Sequence, residues 1–418
     1  MPNKKILKRI ITCQGSIQLV TALSVLSYRE KEQAELNVEY ENYLVIHHLF
    51  SPPGQVHEFA AFIKKMAELI CDWKAIVHIS PEQMDTIFNK LHCTSPSKIF
   101  QGVYELVGTD SADEIYLATN WHSGNQLLIN PYQAAQKICY GDGIGIYISS
   151  QSKIFPTTNQ PKLNLYEYLK NKLRSTITNS KETLKENLKL KTSLKLIKFD
   201  IGYFFLPDVL GEVPPMKTVV LDRVLLLETL KKLKNLVDPD YITQFRERIA
   251  DAPVSILLTS TFSEASRMSL EAELTAYRQF LIAEGIEQNA VLVVKPHPRD
   301  DQAKIQKLEH SLSDLFSKIL ILSELNLFFL PFEIFFMQAF LEQKSTDTNR
   351  LKLFALSSAC LSLKLLFNVP STVGFGDKIT SSLFYEAYVA GRLEHESDLK
   401  TAIKKTEFCV SSPSGFTK

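Results

Sequence analysis

The sequence predicts an α/β protein built from two Rossmann-like domains that face each other across a cleft. The first observation behind this prediction is that short apolar runs rich in β-branched residues alternate with helical patterns, which is typical of a parallel sheet covered by helices. The second is length, because 418 residues suffice for two ordinary domains. The third is that polar residues follow several apolar runs, where open α/β sheets bind their ligands.

The composition is that of a soluble globular protein, with 45% hydrophobic and 22% charged residues. The formal net charge of +1 provides no argument for binding nucleic acid or membranes through bulk charge. The six cysteines include no pair with C-x-x-C spacing, so we predict neither a zinc site nor a disulfide framework and expect a cytoplasmic protein. The most apolar window, 319–341, contains two carboxylates and a proline, which favours buried core over a membrane span.

The first unit of the chain is a strand, a tight loop and a helix, predicted at Ile6–Thr12 and Ile17–Tyr28. Gly15 in the loop allows close approach of a backbone, and we expect Ser16 to cap the helix. An ordinary turn between strand and helix would have the same pattern. Further strands are predicted at Tyr43–Phe50, Lys74–Ser80, Glu114–Thr119 and Gln136–Tyr140, and further helices at Gln55–Ile70 and from Pro81 with Ser80 as cap.

A glycine-rich turn follows the strand at Gln136–Tyr140. It places glycines at 141, 143 and 145 around Asp142. Such a turn presents the carboxylate on a backbone that side chains cannot crowd. A simple turn without chemistry explains the same residues equally well.

Residues 152–198 are rich in lysine and poor in acidic residues, which predicts a basic, partly helical insertion in the first domain. The pattern is consistent with a solvated helical face, and also with a track for a polyanionic acceptor or an anionic membrane surface. A new strand begins after Ala252–Pro253. We therefore place the domains at 1–250 and 251–395, with a C-terminal tail at 396–418.

The second domain repeats the alternation of strands and helices. A helical segment that begins near Leu330 places Glu333 in its first turn. Strands are predicted at Val254–Thr259, from Val291, and at Ile319–Leu322 and Leu353–Leu356, and helices at Leu270–Glu284, capped by Ser269, and at Leu361–Phe367.

The run Val291–Asp300 is the strongest local signal in the chain. A buried strand enters it, and His297 leaves the strand end between Pro296 and Pro298, which fix the backbone on both sides. Lys295 and Arg299 place positive charge close by. A rigid histidine between two cations suits an anionic leaving group such as a phosphate, whereas a lone histidine would more often be a bystander in a surface loop.

Two hydroxyl residues, Ser357 and Ser358, follow the strand at Leu353–Leu356 and precede a helix. Helix N-termini bind phosphate through free N–H groups and the helix dipole. Ordinary capping of the helix explains the pair equally well.

Taken in order, these motifs resemble those of the bacterial sialyltransferases, most closely the α-2,8-polysialyltransferase family, which is similar to the lipooligosaccharide sialyltransferases. The marks of the family are an acidic-acidic-glycine motif, a His-Pro motif and a Ser-Ser or Ser-Thr motif. They correspond here to Gly141–Gly143, His297–Pro298 and Ser357–Ser358. The segments Cys13–Leu19 and Leu330–Glu333 also look like family segments.

The resemblance implies a GT-B fold and inverting transfer of sialic acid from CMP-sialic acid to a glycan, with no metal or other cofactor. Asp142 would take the proton of the attacking hydroxyl, and His297 would act as the acid or stabilise the leaving phosphate. The implied nucleotide-sugar site comprises Ser357 and Ser358 at the phosphate, Glu333 at the ribose, Lys295 through its backbone, Pro298 beside the histidine, and Gly15 and Ser16 lining the cleft.

The implied partners are the nucleotide-sugar donor and a glycan acceptor that is polyanionic or lipid-linked, such as polysialic acid or another surface polysaccharide. Peripheral association with the inner face of the membrane would suit such an acceptor.

One departure from the family pattern is Gly141, which stands where the first acidic residue is often the base. Either the base has moved to Asp142, or another group serves, or catalysis is weak. The alternatives are therefore a GT-B enzyme with another donor, such as CMP-Kdo or CDP-glycerol, and a nucleotide-sugar or glycan-binding protein without catalysis.

Overall fold

The computed structural model of the chain describes residues 5–49, 51–52, 54–90, 96–119, 123–147, 198–210, 213–287, 289–342 and 351–411. The basic segment predicted at 152–198 lies outside these ranges apart from Lys198. Within them the strands form two parallel sheets.

The first sheet, as far as the structure describes it, has seven strands in the order β3-β2-β1-β4-β5-β6-β7. It starts in the middle at β1 and extends first to one side and then to the other, which is the doubly-wound Rossmann order. The strands are β1 (Lys5–Cys13), β2 (Val38–His47), β3 (Ala75–Ile79), β4 (Glu114–Leu117), β5 (Gln136–Cys139), β6 (Ile201–Phe204) and β7 (Lys217–Val220). The helices up to the second sheet are α1 (Ser16–Glu32), α2 (Val56–Glu68), α3 (Pro81–Lys90), α4 (Pro96–Val107), α5 (Ser123–Ile129), α6 (Arg223–Lys232) and α7 (Pro239–Ile249).

The second sheet has the order β10-β9-β8-β11-β12 among the described residues, which repeats the Rossmann pattern around β8. Two parallel sheets of this order confirm the predicted class of two Rossmann-like domains. The strands are β8 (Val254–Leu258), β9 (Val291–Lys295), β10 (Lys318–Ile321), β11 (Leu351–Ala355) and β12 (Ser371–Val373). The helices are α8 (Leu270–Ala283), α9 (Gln302–Leu312), α10 (Leu325–Phe329), α11 (Phe332–Phe336), α12 (Ala359–Phe367), α13 (Gly376–Leu383) and α14 (Glu386–Ser411), and a π-helical turn at Met337–Leu341 continues α11.

The C-terminal halves of the central strands β1 and β2 are mostly apolar, because both faces of the first sheet are covered there. Ile10 belongs to one hydrophobic cluster and its neighbour Ile11 to another on the opposite face. The same alternation holds on β2, where Val45 and Leu44 divide between the two clusters. Side chains alternate between faces along a strand, so two-sided burial requires a continuous apolar run.

Helix starts follow the predicted caps in two cases out of three. The Ser80 hydroxyl accepts a hydrogen bond from the Gln83 N–H (3.3 Å) while Gln83 Oε1 accepts one from the Ser80 N–H (2.9 Å), which is a capping box. Ser269 accepts a hydrogen bond from Ala272 N–H as predicted. The prediction for Ser16 was wrong: Gly15 occupies the capping position, and Ser16 is the first helical residue of α1.

The two domains share apolar packing. Phe329 of α10 stacks on Phe59 of α2, with ring centroids 4.4 Å apart. The window 319–341 lies largely in this core, as predicted. None of the helices in the described ranges has the length and apolarity needed to cross a membrane.

The C-terminal helix α14 crosses the boundary that the sequence suggested at residue 396. Leu399 and Ala402 beyond that point are fully buried. Glu396 accepts hydrogen bonds from the N–H groups of Phe375 and Gly376, both at 2.9 Å. The part of α14 that contains Glu396, Leu399 and Ala402 therefore packs against the rest of the fold rather than forming a separate tail.

Candidate functional site

The carboxyl ends of the central strands of the second sheet bring several predicted site residues to one edge. β8 lies between β9 and β11, and all three run parallel. Thr259 after β8, His297 after β9 and Ser357–Ser358 after β11 therefore leave the sheet side by side. The predicted histidine and hydroxyl pair thus flank the same strand end, where Rossmann-like sheets bind ligands.

Hydrogen bonds within its own loop and to the loop after β8 hold His297 in place. Its backbone N–H donates to Thr259 Oγ1 (2.7 Å) and to Asp300 Oδ2 (2.9 Å). Its ring nitrogen Nδ1 accepts a hydrogen bond from the Arg299 N–H at 3.1 Å. A nitrogen that accepts a hydrogen bond carries no proton of its own, so the neutral ring keeps its proton on Nε2.

The charge state of His297 follows from its surroundings. Burial, and then the positive charges of Arg299, Lys304 and Lys295, lower the pKa of the ring to about 3. The imidazole is therefore neutral across the physiological range. It can donate a hydrogen bond through Nε2, as a fixed dipole rather than a cation.

A buried charge network underlies the histidine loop. Lys304 Nζ lies 2.8 Å from Asp300 Oδ1 and 2.8 Å from Glu273 Oε1. Asp300 also accepts a hydrogen bond from the Thr259 hydroxyl (2.6 Å), and Glu273 accepts one from the Ser263 N–H (2.8 Å). One lysine thus ties the loop after β8 to the loop after β9.

The pKa values of Asp300 and Lys304 are both raised, but for different reasons. Burial raises the pKa of Asp300 to about 6, although Lys304 opposes the shift. The two carboxylates raise the pKa of Lys304 above its ordinary value in spite of burial. The lysine therefore stays charged and compensates for two buried acids.

The hydroxyl pair at the start of α12 is not used to cap the helix. Ser358 occupies the capping position, but its side chain makes no capping hydrogen bond. Ser357 is half-buried and Ser358 is exposed. Within the described residues neither hydroxyl has a protein hydrogen-bond partner, so both are available to a ligand at this helix N-terminus.

Glu333 and Lys295 lie deeper than the hydroxyl pair. The Ser362 hydroxyl donates a hydrogen bond to the Glu333 carboxylate, and burial raises the pKa of that carboxyl. Lys295 Nζ donates to the carbonyls of Leu327 (2.8 Å) and Phe328 (2.6 Å), and burial lowers the pKa of its amine to about 7. The Lys295 side chain is thus engaged within the protein, while Pro298 is half-buried beside the histidine.

The glycine-rich turn in the first domain presents Asp142 half-buried after β5. The turn closes through two hydrogen bonds of 3.0 Å between the backbones of Asp142 and Ile146. Gly141 has a φ of 79°, and a Cβ added there would lie 2.8 Å from the carbonyl carbon of Gly145. A side chain at position 141 would therefore clash with this backbone.

The structure brings Asp142 together with the first turns of α1. Gln18 Nε2 donates to Asp142 Oδ1 at 2.6 Å, and the Thr21 hydroxyl donates to the Gly143 carbonyl. Space for a side chain is open at Gly15, with no atom within 4 Å of an added Cβ. Ser16 beside it is buried in the first turn of α1.

Sequence reasoning missed the residues that support the site. Asp300, Lys304 and Glu273 received no role, although Asp300 ends the very run that carries His297. Their spacing offered one signal, since residues 300 and 304 are one helical turn apart. Gln18 lay within a segment that resembled the family and was likewise assigned no role. Within the described ranges there is no group of three or more His, Cys, Asp or Glu side chains that could hold a metal ion.

The chain matches a known protein family by its sequence. The profile of the Alpha-2,8-polysialyltransferase (POLYST) family matches residues 10–339. None of the proteins of curated function matches the sequence significantly.

Solved structures show only distant similarity. A putative UDP-N-acetylglucosamine 2-epimerase from Listeria monocytogenes has a TM-score of 0.48 and 13% identity, covering 97% of this chain and 91% of its own. A UDP-GlcNAc 2-epimerase from Neisseria meningitidis has a TM-score of 0.47 and 11% identity, covering 97% and 98%. An E. coli heptosyltransferase has a TM-score of 0.35 and 11% identity, covering 88% of each chain. All three scores lie below 0.5, so no conclusion about function follows from them.

Gly141→Ala should destabilise the protein far more than Gly143→Ala. Both positions have positive φ, 79° and 55°, so both variants carry a conformational cost of about 1 kcal/mol. Only the Cβ at 141 meets backbone atoms, whereas nothing lies within 4 Å of one at 143. We expect a loss of about 3 kcal/mol or more for Gly141→Ala in denaturant unfolding. Equal losses for the two variants would show that the turn relaxes freely.

Lys304→Met should lower the free energy of unfolding by about 3–5 kcal/mol at pH 8, because Asp300 and Glu273 become buried charges without a cation. The loss should shrink at pH 5. The pKa of Asp300 is already raised in the folded state, and removal of Lys304 raises it further, so the folded variant gains stability as it binds protons.

The matched control for this variant is Lys352→Met, which breaks the exposed pair with Glu287 (3.3 Å) and should cost little at either pH. The measurement is the free energy of unfolding in denaturant, at both pH values, for the wild type, Lys304→Met and Lys352→Met. A pH-independent loss for Lys304→Met would contradict the role of the network as charge compensation.

Proposed function

Because the chain belongs to the alpha-2,8-polysialyltransferase family, we propose that it is a glycosyltransferase that moves sialic acid from CMP-sialic acid to a glycan acceptor with inversion. The observation that carries this proposal is the geometry of His297. Its imidazole is a neutral N–H donor, and hydrogen bonds within its loop and to the loop after β8 fix its position. The same edge of the sheet presents the hydroxyls of Ser357 and Ser358, which do not cap the helix.

The leaving group sets the demands on the second domain. As the bond between the anomeric carbon and the phosphate oxygen of CMP breaks, negative charge develops on the phosphate. His297 Nε2–H would donate to that oxygen, and Ser357 and Ser358 with the N-terminus of α12 would bind the remaining phosphate oxygens. A neutral donor suits this role, because it stabilises the charge without first being protonated.

The rest of the nucleotide would lie against the same edge. Glu333 would accept hydrogen bonds from the ribose hydroxyls. Lys295 would contribute indirectly, since its amine binds the carbonyls of α10 rather than facing a ligand. Pro298 would keep the histidine loop rigid.

The attacking group sets the demands on the first domain. A sugar hydroxyl is a weak nucleophile, so a carboxylate must accept its proton as the new glycosidic bond forms. Asp142 is the carboxylate that the turn after β5 presents, and Gly15 and Ser16 would line the cleft beside it. The proton then ends on Asp142 and the electron pair of the broken bond on CMP, with no metal or other cofactor required.

The acceptor is proposed as a polyanionic or lipid-linked glycan, such as α-2,8-linked polysialic acid or another surface polysaccharide. The basic segment at 152–198 supports this through its charge. The protein would then act in the cytoplasm, peripherally at the inner face of the membrane.

The first test is CMP release from CMP-sialic acid with a sialylated oligosaccharide present. His297→Ala should lower the rate by about 10²–10⁴-fold. The matched control is His310→Ala, which removes an exposed histidine of α9 and should leave the rate unchanged. Binding of CMP-sialic acid without turnover would instead identify a binding protein, and turnover with CMP-Kdo or CDP-glycerol alone would identify another donor.

The pH profile of kcat/KM tests the charge state of His297. A cationic acid with an ordinary histidine pKa would cause kcat/KM to fall above about pH 6.5. Because the pKa of His297 is lowered to about 3, we expect no such fall between pH 6 and 8. His297→Asn, which keeps a neutral N–H donor, should retain more activity than His297→Ala; identical losses would argue against hydrogen-bond donation.

A further inference from the structure

The Gln18 side chain forms a bridge between two parts of the first domain. Its Oε1 accepts a hydrogen bond from the backbone N–H of Gln14 at 3.1 Å, and its Nε2 donates to Asp142 Oδ1 at 2.6 Å. The orientation of the amide is unambiguous, because a backbone N–H can only donate and therefore faces the oxygen. The N–H of the amide must then face the carboxylate.

The two oxygens of Asp142 have different surroundings. Oδ1 accepts hydrogen bonds from Gln18 Nε2 and from the Gly143 N–H, the latter at 3.0 Å. No hydrogen bond from the described residues reaches Oδ2. Asp142 is half-buried, so Oδ2 can accept a hydrogen bond from solvent or from a ligand.

We infer that Gln18 is a positioning residue, which anchors Oδ1 of Asp142 so that Oδ2 is the atom that takes the proton of the acceptor hydroxyl. This inference rests on the proposed function and adds a specific role for a side chain of α1. The glycine-rich turn cannot supply the anchor from its own side chains, since position 141 has no room for one.

The bridge also links the base to the loop after β1. Gln18 holds Asp142 on one side and the backbone of Gln14 on the other, directly before Gly15 and Ser16. The Thr21 hydroxyl ties the same helix to the Gly143 carbonyl one turn later. A shift of this loop would therefore change the orientation of the base.

Gln18→Glu is the sharpest test, because it keeps the size of the side chain and the acceptor for Gln14 while it replaces the N–H donor with a carboxylate oxygen. Two carboxylates at this distance share a proton, so the acid limb of the kcat/KM profile should move to higher pH by about one unit or more. At pH 7 kcat should fall by about 10–100-fold. KM for CMP-sialic acid should change by less than about threefold, because the proposed phosphate and ribose contacts lie in the second domain.

The matched control is Gln101→Glu on α4, where Gln101 Nε2 donates to the exposed Glu105 carboxylate at 3.1 Å. It creates the same charge repulsion outside the site and should leave the pH profile unchanged. Gln18→Leu removes both hydrogen bonds without adding charge. It should shift the acid limb less than Gln18→Glu and serves if the latter fails to fold, as judged by Tm.

The outcomes separate the inference from the proposed function. A folded wild-type protein without turnover overturns the proposed function and the inference with it. Wild-type turnover together with unchanged acid limbs in Gln18→Glu and Gln18→Leu overturns the inference alone. A lowered Tm with an unmoved pH profile would show a purely structural role for Gln18.

Discussion

The arrangement of the candidate site in the second domain depends on the contacts of one buried carboxylate, that of Asp300. It accepts hydrogen bonds from the His297 N–H and the Thr259 hydroxyl, and it forms an ion pair with Lys304. Burial of a carboxylate is costly unless such partners satisfy it. These partners offset the desolvation of the carboxylate only when the loops after β8 and β9 adopt one relative arrangement. The position of His297 is therefore a consequence of charge satisfaction in the protein interior rather than of the histidine itself.

The same strand that carries His297 also connects the site to the contact between the domains. Lys295 precedes the histidine loop, and its amine binds two carbonyls at the end of α10. α10 in turn places Phe329 against Phe59 of the first domain. Two residues near one strand end thus have different surroundings, since His297 lies in the loop after β9 and Lys295 binds the helix that contacts the other domain. This division explains why a lysine next to the histidine is buried although its desolvation is unfavourable.

The sequence was sufficient to predict the features that depend on local pattern. The alternation of apolar runs and helices predicted five strands of the first sheet and four of the second, but not β6, β7 and β12. The proline-flanked histidine and the serine pair were found from their position after strands. What depends on distant partners could not be predicted. Nothing in the sequence near Asp300 indicates that Glu273 will pair with the same lysine, Lys304. The strand β6 was also missed, because it is short and follows a long basic segment without a turn signal. Ser16 was expected to cap α1 because serine favours that position, but the extended backbone of Gly15 takes it instead.

Gly141 shows how a backbone constraint can determine the chemistry of a site. The turn after β5 closes so tightly that a Cβ at 141 would overlap the chain at Gly145 and Ile146. An acid at that position would therefore require a wider turn. A turn with two acids can divide proton transfer and charge support between them, whereas a turn with one acid must obtain its support from outside. In this chain Gln18 of α1 supplies the outside hydrogen bond, so the loop after β1 and Asp142 after β5 are held together as one structural unit.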